Sequence, residues 1–488
     1  MNFPMPNSIT ALFSSSLANM FLVVFLALTF VSITNNYPDL AQYGHSQFAK
    51  ASSLKYPDVG LASLKGPVIL DPNLKAEVVF RGLKYPTSMD FLGPNDILVT
   101  EKDAGTVQRI VNNTELQQPL LNVSVATYAH RGMLGIAVAP HLSLTTDNLP
   151  NHINSTDQYD DITYVFLYYT QAKTHTSDDA TEGKQPPGNL LYRYEFINGK
   201  LVNPKLLLNL PATPGAIGNG GKVIIGPDNN VYLTIGSVGV NGHITKTQNI
   251  QNGSEPDGTS GILRVNQNGQ PILPGILGNK FPLNVYFSYG VWNSFGIVFD
   301  PITGILWDTQ IGLSFGDEIN LVESGFNSGY NKVDGIWLRD YDAGQMKKHV
   351  APLHPNGLVD FGGKGRYHAP QFTWFQKVVP TGITFLNSNT MGRNYQNDMF
   401  VSDVKNGNIY HFKLNTQRTG LLFPPGPLAD GVANSSDSLS QIVFGKGFGA
   451  ITDLKVSPYD GHLYVLAFDE KKGTIFRIVP INSQTSGG

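Results

Sequence analysis

The feature that most constrains the fold of this chain is a unit of strands and turns that recurs six times from about residue 76 onward. Each unit has an apolar strand, a turn rich in Gly, Pro, Asp or Asn, a second apolar strand and, after a short break, a third strand. Period-two alternation between hairpin signals, such as Pro-Asp-Asn-Asn at 227–230 and Tyr-Asp-Gly at 459–461, is typical of propeller blades. The six units begin at Pro86, Arg131, Gly220, Ser294, Pro380 and Ala450.

The repeats predict an all-β fold, a six-bladed β-propeller over residues 76–482, with strands rather than helices in its body. The composition agrees, because 51 Gly and 31 Pro supply turns while 27 Phe and 21 Tyr favour strands. A two-domain β-sandwich is the alternative. It does not explain why the same turn chemistry follows the first strand of each unit.

Charge and cysteine content exclude several classes of function. The 34 Lys and Arg balance 37 Asp and Glu, for a formal net charge of -3, and no basic block is long enough to follow a phosphate backbone. We therefore expect no nucleic-acid partner. The chain has no cysteine, which excludes disulfides, thiolate metal sites and a cysteine nucleophile.

The N-terminus carries one long apolar run, from Leu17 to Ile33. Its length lies between that of a signal-peptide core and that of a minimal spanning helix, and no clear small-x-small cleavage site follows it. We expect residues 1–36 to form a signal or membrane-anchor helix, with an uncleaved anchor favoured, and residues 37–75 to form a polar tether. A buried core helix is the weaker alternative. The protein is then extracytoplasmic, either anchored through this helix or secreted.

Common catalytic motifs are absent from the sequence. It contains no Gly-x-Ser-x-Gly elbow, no phosphate-binding loop ending in Lys-Ser/Thr and no dinucleotide fingerprint between a strand and a helix. His349 and His354, with Asp360 downstream, are spaced too loosely for a zinc site without a third ligand. Hydrolase, kinase and nicotinamide-dependent functions therefore have no sequence support.

Eight blocks of the sequence, in order, resemble the glucose/sorbosone dehydrogenase family. Soluble members of that family are six-bladed propellers that use pyrroloquinoline quinone (PQQ) and calcium, so the resemblance implies the same fold, cofactors and oxidation of an aldose-type sugar. Fold follows from such a resemblance more directly than function, which has to be argued from the site. The blocks are 82–101, 131–140, 219–236, 261–265, 293–300, 316–321, 380–385 and 463–466.

The position of the family's catalytic base is Gly218 in this chain. In the family a histidine there accepts the proton of the sugar's C1 hydroxyl, which requires a lone pair and a pKa near the working pH. Glycine has no side chain to do this. His130 is the best substitute, since it precedes the 131–140 block that borders the family's central site. His243 and His368 also lie on or beside predicted loops, although an ordinary hydrogen-bonded histidine is the commoner case for each.

The resemblance implies a reduced set of PQQ-binding residues. Trp292 and Asn293 match an arginine–asparagine pair whose arginine would pair with the anionic cofactor, and Lys405 matches one member of a later basic pair. Ser237 stands where the family usually has an acidic residue. We therefore expect Trp292, Asn293 and Lys405 to contact the cofactor, with Trp292 stacking on its ring.

Calcium is the least altered part of the family pattern, because backbone carbonyls supply some of its ligands. The matching carbonyls are those of Gly312 and Leu313, and the acidic pair Asp317 and Glu318 follows. Calcium needs six to eight oxygen ligands, and this stretch supplies only some of them. The alternative, equally weighted, is that the two acidic residues cap a turn.

Two classes of function follow. The first is an extracytoplasmic quinoprotein that oxidises an aldose-type sugar with PQQ. The second is a non-catalytic propeller that binds a glycan or a partner protein at the cell surface, since Gly218 and Trp292 each replace a group that the oxidation needs. A calcium-dependent lactonase-like propeller is a third option, without a motif to support it.

Overall fold

The computed structural model describes residues 66–139, 163–176, 185–239, 244–342, 345–469 and 472–481. All of them lie in one compact unit, Tyr56–Gly488. The predicted anchor (1–36), most of the predicted tether and His243 lie outside the described residues. Within the described ranges, no helix is both long enough and apolar enough to cross a membrane.

Regular structure in the described residues is almost entirely strand. The first strands in chain order are β1 (Val68–Ile69), β2 (Leu74–Leu83), β3 (Pro86–Gly93), β4 (Asp96–Glu101), β5 (Thr106–Val111), β6 (Thr114–Glu115), β7 (Leu121–Asn122), β8 (Met133–Val138), β9 (Thr163–Gln171), β10 (Gly188–Ile197) and β11 (Lys200–Leu210). The middle strands are β12 (Val223–Ile225), β13 (Val231–Ile235), β14 (Gly261–Val265), β15 (Tyr286–Tyr289), β16 (Ser294–Phe299), β17 (Leu306–Gln310), β18 (Asp317–Val322), β19 (Phe326–Asn327), β20 (Val333–Asp334), β21 (Trp337–Asp342) and β22 (Gln345–Val350). The last are β23 (Arg366–Tyr367), β24 (Phe372–Trp374), β25 (Pro380–Phe385), β26 (Met399–Asp403), β27 (Ile409–Leu414), β28 (Leu421–Leu422), β29 (Val432–Ala433), β30 (Val443–Lys446), β31 (Ala450–Val456), β32 (Leu463–Asp469) and β33 (Lys472–Pro480).

Helical structure is brief. One α-helix, α1, covers Ser436–Ser440, and its N-cap Ser435 accepts a hydrogen bond from the backbone of Ser438. Three single-turn 3₁₀ segments cover Lys246–Gln248, Leu283–Val285 and Arg393–Tyr395. The described residues therefore form an all-β fold, as the repeats predicted.

Six of the sheets formed by the described strands share one plan, in which the four strands nearest the inner edge pair antiparallel. Parallel pairs occur only farther out in these sheets, between β15 and β19, β19 and β23, and β24 and β29. A seventh, three-stranded sheet, β20-β21-β22, is formed within residues 333–350 outside this plan. From the inner edge, the six strand orders are β3-β4-β5-β6, β8-β9-β10-β11, β12-β13-β14-β15-β19-β23, β16-β17-β18-β24-β29, β25-β26-β27-β30-β1 and β31-β32-β33-β2.

The inner strands β3, β8, β12, β16, β25 and β31 form a closed ring. Each contacts the next inner strand along the chain, and β31 contacts β3. The ring is closed by the pairing of an early strand with the last one. β2 pairs antiparallel with β33, from Leu74 opposite Pro480 to Leu83 opposite Gly473. This pairing ties the segment that precedes the first sheet to the last sheet, which is the arrangement of a β-propeller.

The apolar core lies between neighbouring sheets. Between the fourth and fifth sheets, for example, Trp307 and Trp374 pack in one cluster with Ile383, Met399 and Tyr410. Burial of apolar surface contributes roughly 25 cal/mol per Å². With no disulfide available, these contacts between sheets hold the ring together.

The inner strands all run in the same direction around the central channel. Near the starts of neighbouring inner strands, Thr87 Oγ1 of β3 donates to the Met133 carbonyl of β8 at 2.8 Å, and Thr381 Oγ1 of β25 donates to the Ile451 carbonyl of β31 at 2.7 Å. Beside the start of β12, Thr234 Oγ1 of β13 accepts from the Lys222 N–H at 3.0 Å and donates to the Ser294 carbonyl of β16 at 2.9 Å. Residues that precede the inner strands therefore meet at one end of the channel, the upper mouth. Residues that follow those strands meet at the other end, the lower mouth.

Candidate functional site

The upper mouth gathers residues from several sheets. His130 precedes β8, Gly218 precedes β12, Trp292 precedes β16 and Lys377 precedes β25. Because the second strand of each sheet returns toward the upper mouth, Lys102 after β4 and Lys405 after β26 come to the same end. The site is thus assembled from loops that are far apart in the sequence.

His130 lies directly against Gly218. The backbone N–H of Gly218 donates to His130 Nδ1 at 3.3 Å, and the His130 N–H donates to the Ala216 carbonyl at 3.0 Å. Gly218 has φ +75°, and a Cβ there would lie 3.1 Å from the backbone nitrogen of Val238. The structure therefore places His130 in contact with the backbone of Gly218, whose conformation favours glycine. The role of His130 as a substitute base stays a prediction.

The environment of His130 keeps its imidazole neutral. Burial, together with the ammonium groups of Lys102 and Lys377, lowers the pKa of His130 to about 3. With Nδ1 accepting from Gly218, the proton of the neutral ring is on Nε2 in that tautomer. His130 therefore holds a lone pair at neutral pH, but its basicity is low until a negative charge approaches the two lysines.

Trp292 and Asn293 support the glycine segment beside His130. Asn293 Oδ1 accepts from the Gly220 N–H at 2.9 Å, and the Trp292 carbonyl accepts from the Ser237 N–H at 2.9 Å. The Trp292 ring is 4% exposed and packs on Tyr330, with ring centroids 5.1 Å apart. Both residues have structural partners within the fold, and their predicted contact with a cofactor stays a prediction.

Lys405 is exposed at the upper mouth, where its Nζ donates to the Lys377 carbonyl at 2.9 Å. Two further lysines, which sequence reasoning missed, lie nearby. Lys377 Nζ donates to the Leu313 carbonyl at 3.2 Å, and Lys102 Nζ contacts Asp103 at 2.7 Å and the Thr127 carbonyl at 3.1 Å. Their positions in the sequence could have identified them. Lys377 immediately precedes an inner strand and Lys102 immediately follows the second strand of a sheet, and both kinds of position lie at the upper mouth.

A polyanionic quinone such as PQQ fits this donor set. Its carboxylates would be held by the ammonium groups of Lys102, Lys377 and Lys405, which come from two different sheets of the ring. Arg339, from the three-stranded sheet, adds a guanidinium over the Tyr330 ring at 5.5 Å, although it also pairs with Asp334. The upper mouth therefore has more cationic groups than the family pattern alone identifies.

The residues present do not fit a calcium ion at the predicted place. The Leu313 carbonyl already accepts from Lys377, and the Asp317 carboxylate accepts three backbone N–H groups, from Gly312 at 2.9 Å, Val378 at 2.7 Å and Val379 at 2.8 Å. Asp317 thus fastens a turn, which was the alternative considered from the sequence.

Glu318 is also engaged, because it accepts from the Gly335 N–H at 2.6 Å and from Asn320 Nδ2 at 3.0 Å. Burial raises the pKa of Glu318 well above its usual value, and the nearby Asp334 and Asp308 carboxyls raise it further. Both carboxyl oxygens of Glu318 are thus already engaged by hydrogen bonds within the fold.

The other histidines considered from the sequence do not join the site. His349, His354 and Asp360 are exposed, and the described part of the chain contains no group of three or more His, Cys, Asp or Glu arranged to hold a metal. His368 stacks on Phe326, with ring centroids 4.4 Å apart. His368 is therefore part of the packing beside β19.

A family model described as Glucose / Sorbosone dehydrogenase matches residues 151–477. Among curated proteins, quinoprotein glucose dehydrogenase B from Acinetobacter calcoaceticus is 24% identical over 377 residues, which cover 72% of this chain and 69% of that protein. The match extends through most of the ring of sheets.

Two solved structures share the fold. The apo form of the soluble aldose sugar dehydrogenase from Escherichia coli aligns with a TM-score of 0.59 at 19% identity, covering 84% of this chain and 100% of that one. The PQQ-bound form of aldose sugar dehydrogenase from Streptomyces coelicolor aligns with a TM-score of 0.55 at 20% identity, covering 84% and 98%. At these identities the likeness concerns the fold alone.

Proposed function

The chain belongs to the glucose/sorbosone dehydrogenase family, whose model matches residues 151–477, and from this premise we propose that it is an extracytoplasmic quinoprotein that oxidises an aldose-type sugar with His130 as the proton acceptor. The observation that carries the proposal is the contact of His130 Nδ1 with Gly218 at 3.3 Å. An imidazole from another loop thereby takes the place of the side chain that Gly218 lacks.

The oxidation removes a proton from the C1 hydroxyl and a hydride from C1. PQQ, when bound, supplies the two-electron acceptor for that hydride. His130 receives the proton at Nδ1, whose long hydrogen bond from Gly218 is weak and easily displaced. The products are the C1-oxidised sugar, a lactone for a ring-closed aldose, and the imidazolium of His130, which returns its proton to solvent.

The lysines of the upper mouth bind the anion and adjust the base. Lys102 and Lys377 lower the pKa of His130, so carboxylates that pair with these ammonium groups offset that effect. Binding of the anionic cofactor thus raises the pKa of His130 toward the range in which a general base is effective. Cofactor binding and base strength are coupled through the same two lysines.

A non-catalytic propeller that binds a glycan or partner protein is the second candidate. Two observations favour it: the pKa of His130 is lowered to about 3, and the Trp292 ring is buried against Tyr330 rather than presented to a ligand. In this case the upper mouth keeps its shape and binds a ligand without proton transfer.

A cofactor titration followed by a sugar screen separates the two candidates. The full chain, purified in detergent, is titrated with PQQ while its absorbance and thermal midpoint are followed, and a panel of aldoses is then tested with a dye as the final acceptor. We expect saturable PQQ binding and PQQ-dependent dye reduction with at least one aldose. Absence of PQQ binding, or binding without turnover of any sugar, would favour the non-catalytic candidate.

We further propose that the six sheets of the ring are six blades and that residues 1–36 form a membrane anchor. The ring of six inner strands supports the first part, and the apolar run Leu17–Ile33 supports the second. Fractionation of cells that express the full chain, with protease added outside, tests the location. We expect the protein in the membrane fraction and its propeller digested from the outer side.

A further inference from the structure

The side chain of Lys377 contacts one of the carbonyl oxygens that the family resemblance assigns to calcium. Its Nζ donates to the Leu313 carbonyl at 3.2 Å, and Leu313 is one of the two residues whose carbonyls match the family's calcium ligands. The residue is half-buried immediately before β25. An ammonium group therefore uses an oxygen that a calcium ion would need.

Asp317 fixes the position of Lys377. Its Oδ2 accepts from the N–H groups of Val378 and Val379, the two residues that follow Lys377, while its Oδ1 accepts from the Gly312 N–H. One carboxylate thus fastens the backbone that carries the lysine to the turn that carries the carbonyl. The contact between Lys377 and Leu313 is built into the fold.

The charges around Lys377 balance its ammonium group. Its ammonium group attracts the Asp317 and Asp334 carboxylates, and Asp334 also pairs with Arg339 at 3.3 Å. Removing a buried cation from such a group leaves its carboxylates less well compensated, which is costly. Lys377 thus supplies part of the positive charge at this place.

We propose that the ammonium group of Lys377 replaces calcium as the cation of the upper mouth, so that this protein folds and binds its ligand without a divalent ion. A calcium ion requires six to eight oxygens at 2.3–2.6 Å. It cannot use the Leu313 carbonyl while an ammonium group is bound there, because the two cations repel. The inference holds whether or not the protein oxidises a sugar.

Calcium binding to the full chain in detergent tests the proposal without any activity assay. Calorimetric titration with calcium chloride, and thermal midpoints in EDTA and in 5 mM calcium, are compared for the wild type, Lys377→Ala and Lys377→Arg. We expect no calcium binding and equal midpoints for the wild type and Lys377→Arg. Lys377→Ala should have a lower midpoint in EDTA, recover it in calcium and show saturable calcium binding.

Lys405→Ala is the matched control, because it removes an exposed lysine of the same mouth. It should not respond to calcium. Saturable calcium binding by the wild type, or a calcium response of Lys405→Ala equal to that of Lys377→Ala, would overturn the proposal. So would a Lys377→Ala variant that is as stable as the wild type in EDTA and indifferent to calcium. If Lys377→Ala does not fold, the wild type and Lys377→Arg titrations still decide the matter.

Discussion

The two halves of the central channel use charged groups in different ways. Although Lys222 immediately precedes the short strand β12, its side chain lies in the lower half, where it lines a pocket with the last residues of β16, β25 and β31. There Lys222 Nζ pairs with Asp453 Oδ1 at 2.5 Å, and Asp453 Oδ2 accepts from Ser88 Oγ and the Met89 N–H, each at 3.0 Å. These contacts join three sheets of the ring. In the upper mouth, by contrast, the lysines bind mainly backbone carbonyls, and the histidine accepts from a peptide N–H.

The charged groups of the two halves therefore have different roles. Charges that are neutralised by each other in a buried place hold the ring closed and offer nothing to a ligand. A lysine whose ammonium group is held by a carbonyl oxygen, such as Lys405, keeps most of its charge for an incoming anion. We therefore expect loss of the Lys222–Asp453 pair to affect stability, and loss of His130 or Lys405 to affect binding and chemistry.

The largest effect is expected from Asp453→Ala, which leaves the Lys222 ammonium buried without its carboxylate. The free energy of unfolding should fall by about 3–5 kcal/mol, because an uncompensated buried charge is costly. Urea denaturation measures this. The double variant Lys222→Met/Asp453→Leu should recover most of the loss, and a failure to recover would mean that the pair itself, rather than the unpaired charge, stabilises the ring.

A pH-dependent effect is expected at Asp334, in the upper mouth. Burial raises the pKa of Asp334 from 3.8 to about 6, against the opposing effect of Arg339. The stability that this carboxyl contributes is complete below pH 3.8 and is lost as the pH rises through 6. Asp334→Asn should therefore gain up to about 3 kcal/mol relative to the wild type between pH 4 and pH 7.5. A difference between the two proteins that does not change with pH, measured by urea denaturation, would contradict this.

Gly218→His tests whether the family's residue can simply be restored. The φ of +75° and the 3.1 Å approach of a Cβ to the Val238 nitrogen predict a loss of about 1–3 kcal/mol and no gain in sugar oxidation. Gly218→Ala is the control, since it introduces the same strain without an imidazole. Rescue of a His130→Ala enzyme by Gly218→His would show that the family arrangement is still accessible.

The smallest effect is expected at the rim of the lower mouth. The side chains of Lys455 and Asp90 form a pair at 2.9 Å and are 24% and 11% exposed. Asp90 keeps hydrogen bonds from the Val138 and Phe91 N–H groups when the lysine is removed. Lys455→Ala should therefore cost about 1 kcal/mol or less in urea denaturation. A cost equal to that of Asp453→Ala would remove the distinction between buried and rim pairs.

The sequence predicted the all-β fold because hairpin turns and two-residue alternation are local signals, repeated in each unit. It did not predict the closure. Strands β1 and β2 begin at Val68 and Leu74, inside the segment expected to be a tether, because the pairing of β2 with β33 joins residues some 400 positions apart. Nothing local marks such a partner.

The candidate site was predicted only in part, because its residues come from loops that are far apart in the sequence. His130 was identified because it adjoins the Arg131 block, and the structure places it beside Gly218. Lys102 and Lys377 were missed, since the family pattern does not mark them and only the closed ring brings their loops to the same mouth. The expected calcium ligands were identified from backbone positions alone, which do not reveal that a lysine side chain reaches Leu313.

The most direct test of the account is the rate of sugar oxidation by His130→Ala, with PQQ bound, in a single turnover. If His130 accepts the proton, the rate should fall about 10²–10⁴-fold while PQQ affinity and thermal midpoint stay near those of the wild type. His354→Ala, which changes an exposed histidine, should match the wild type. A His130→Ala enzyme that oxidises the sugar at the wild-type rate would contradict the account, since the proton would then go to another group.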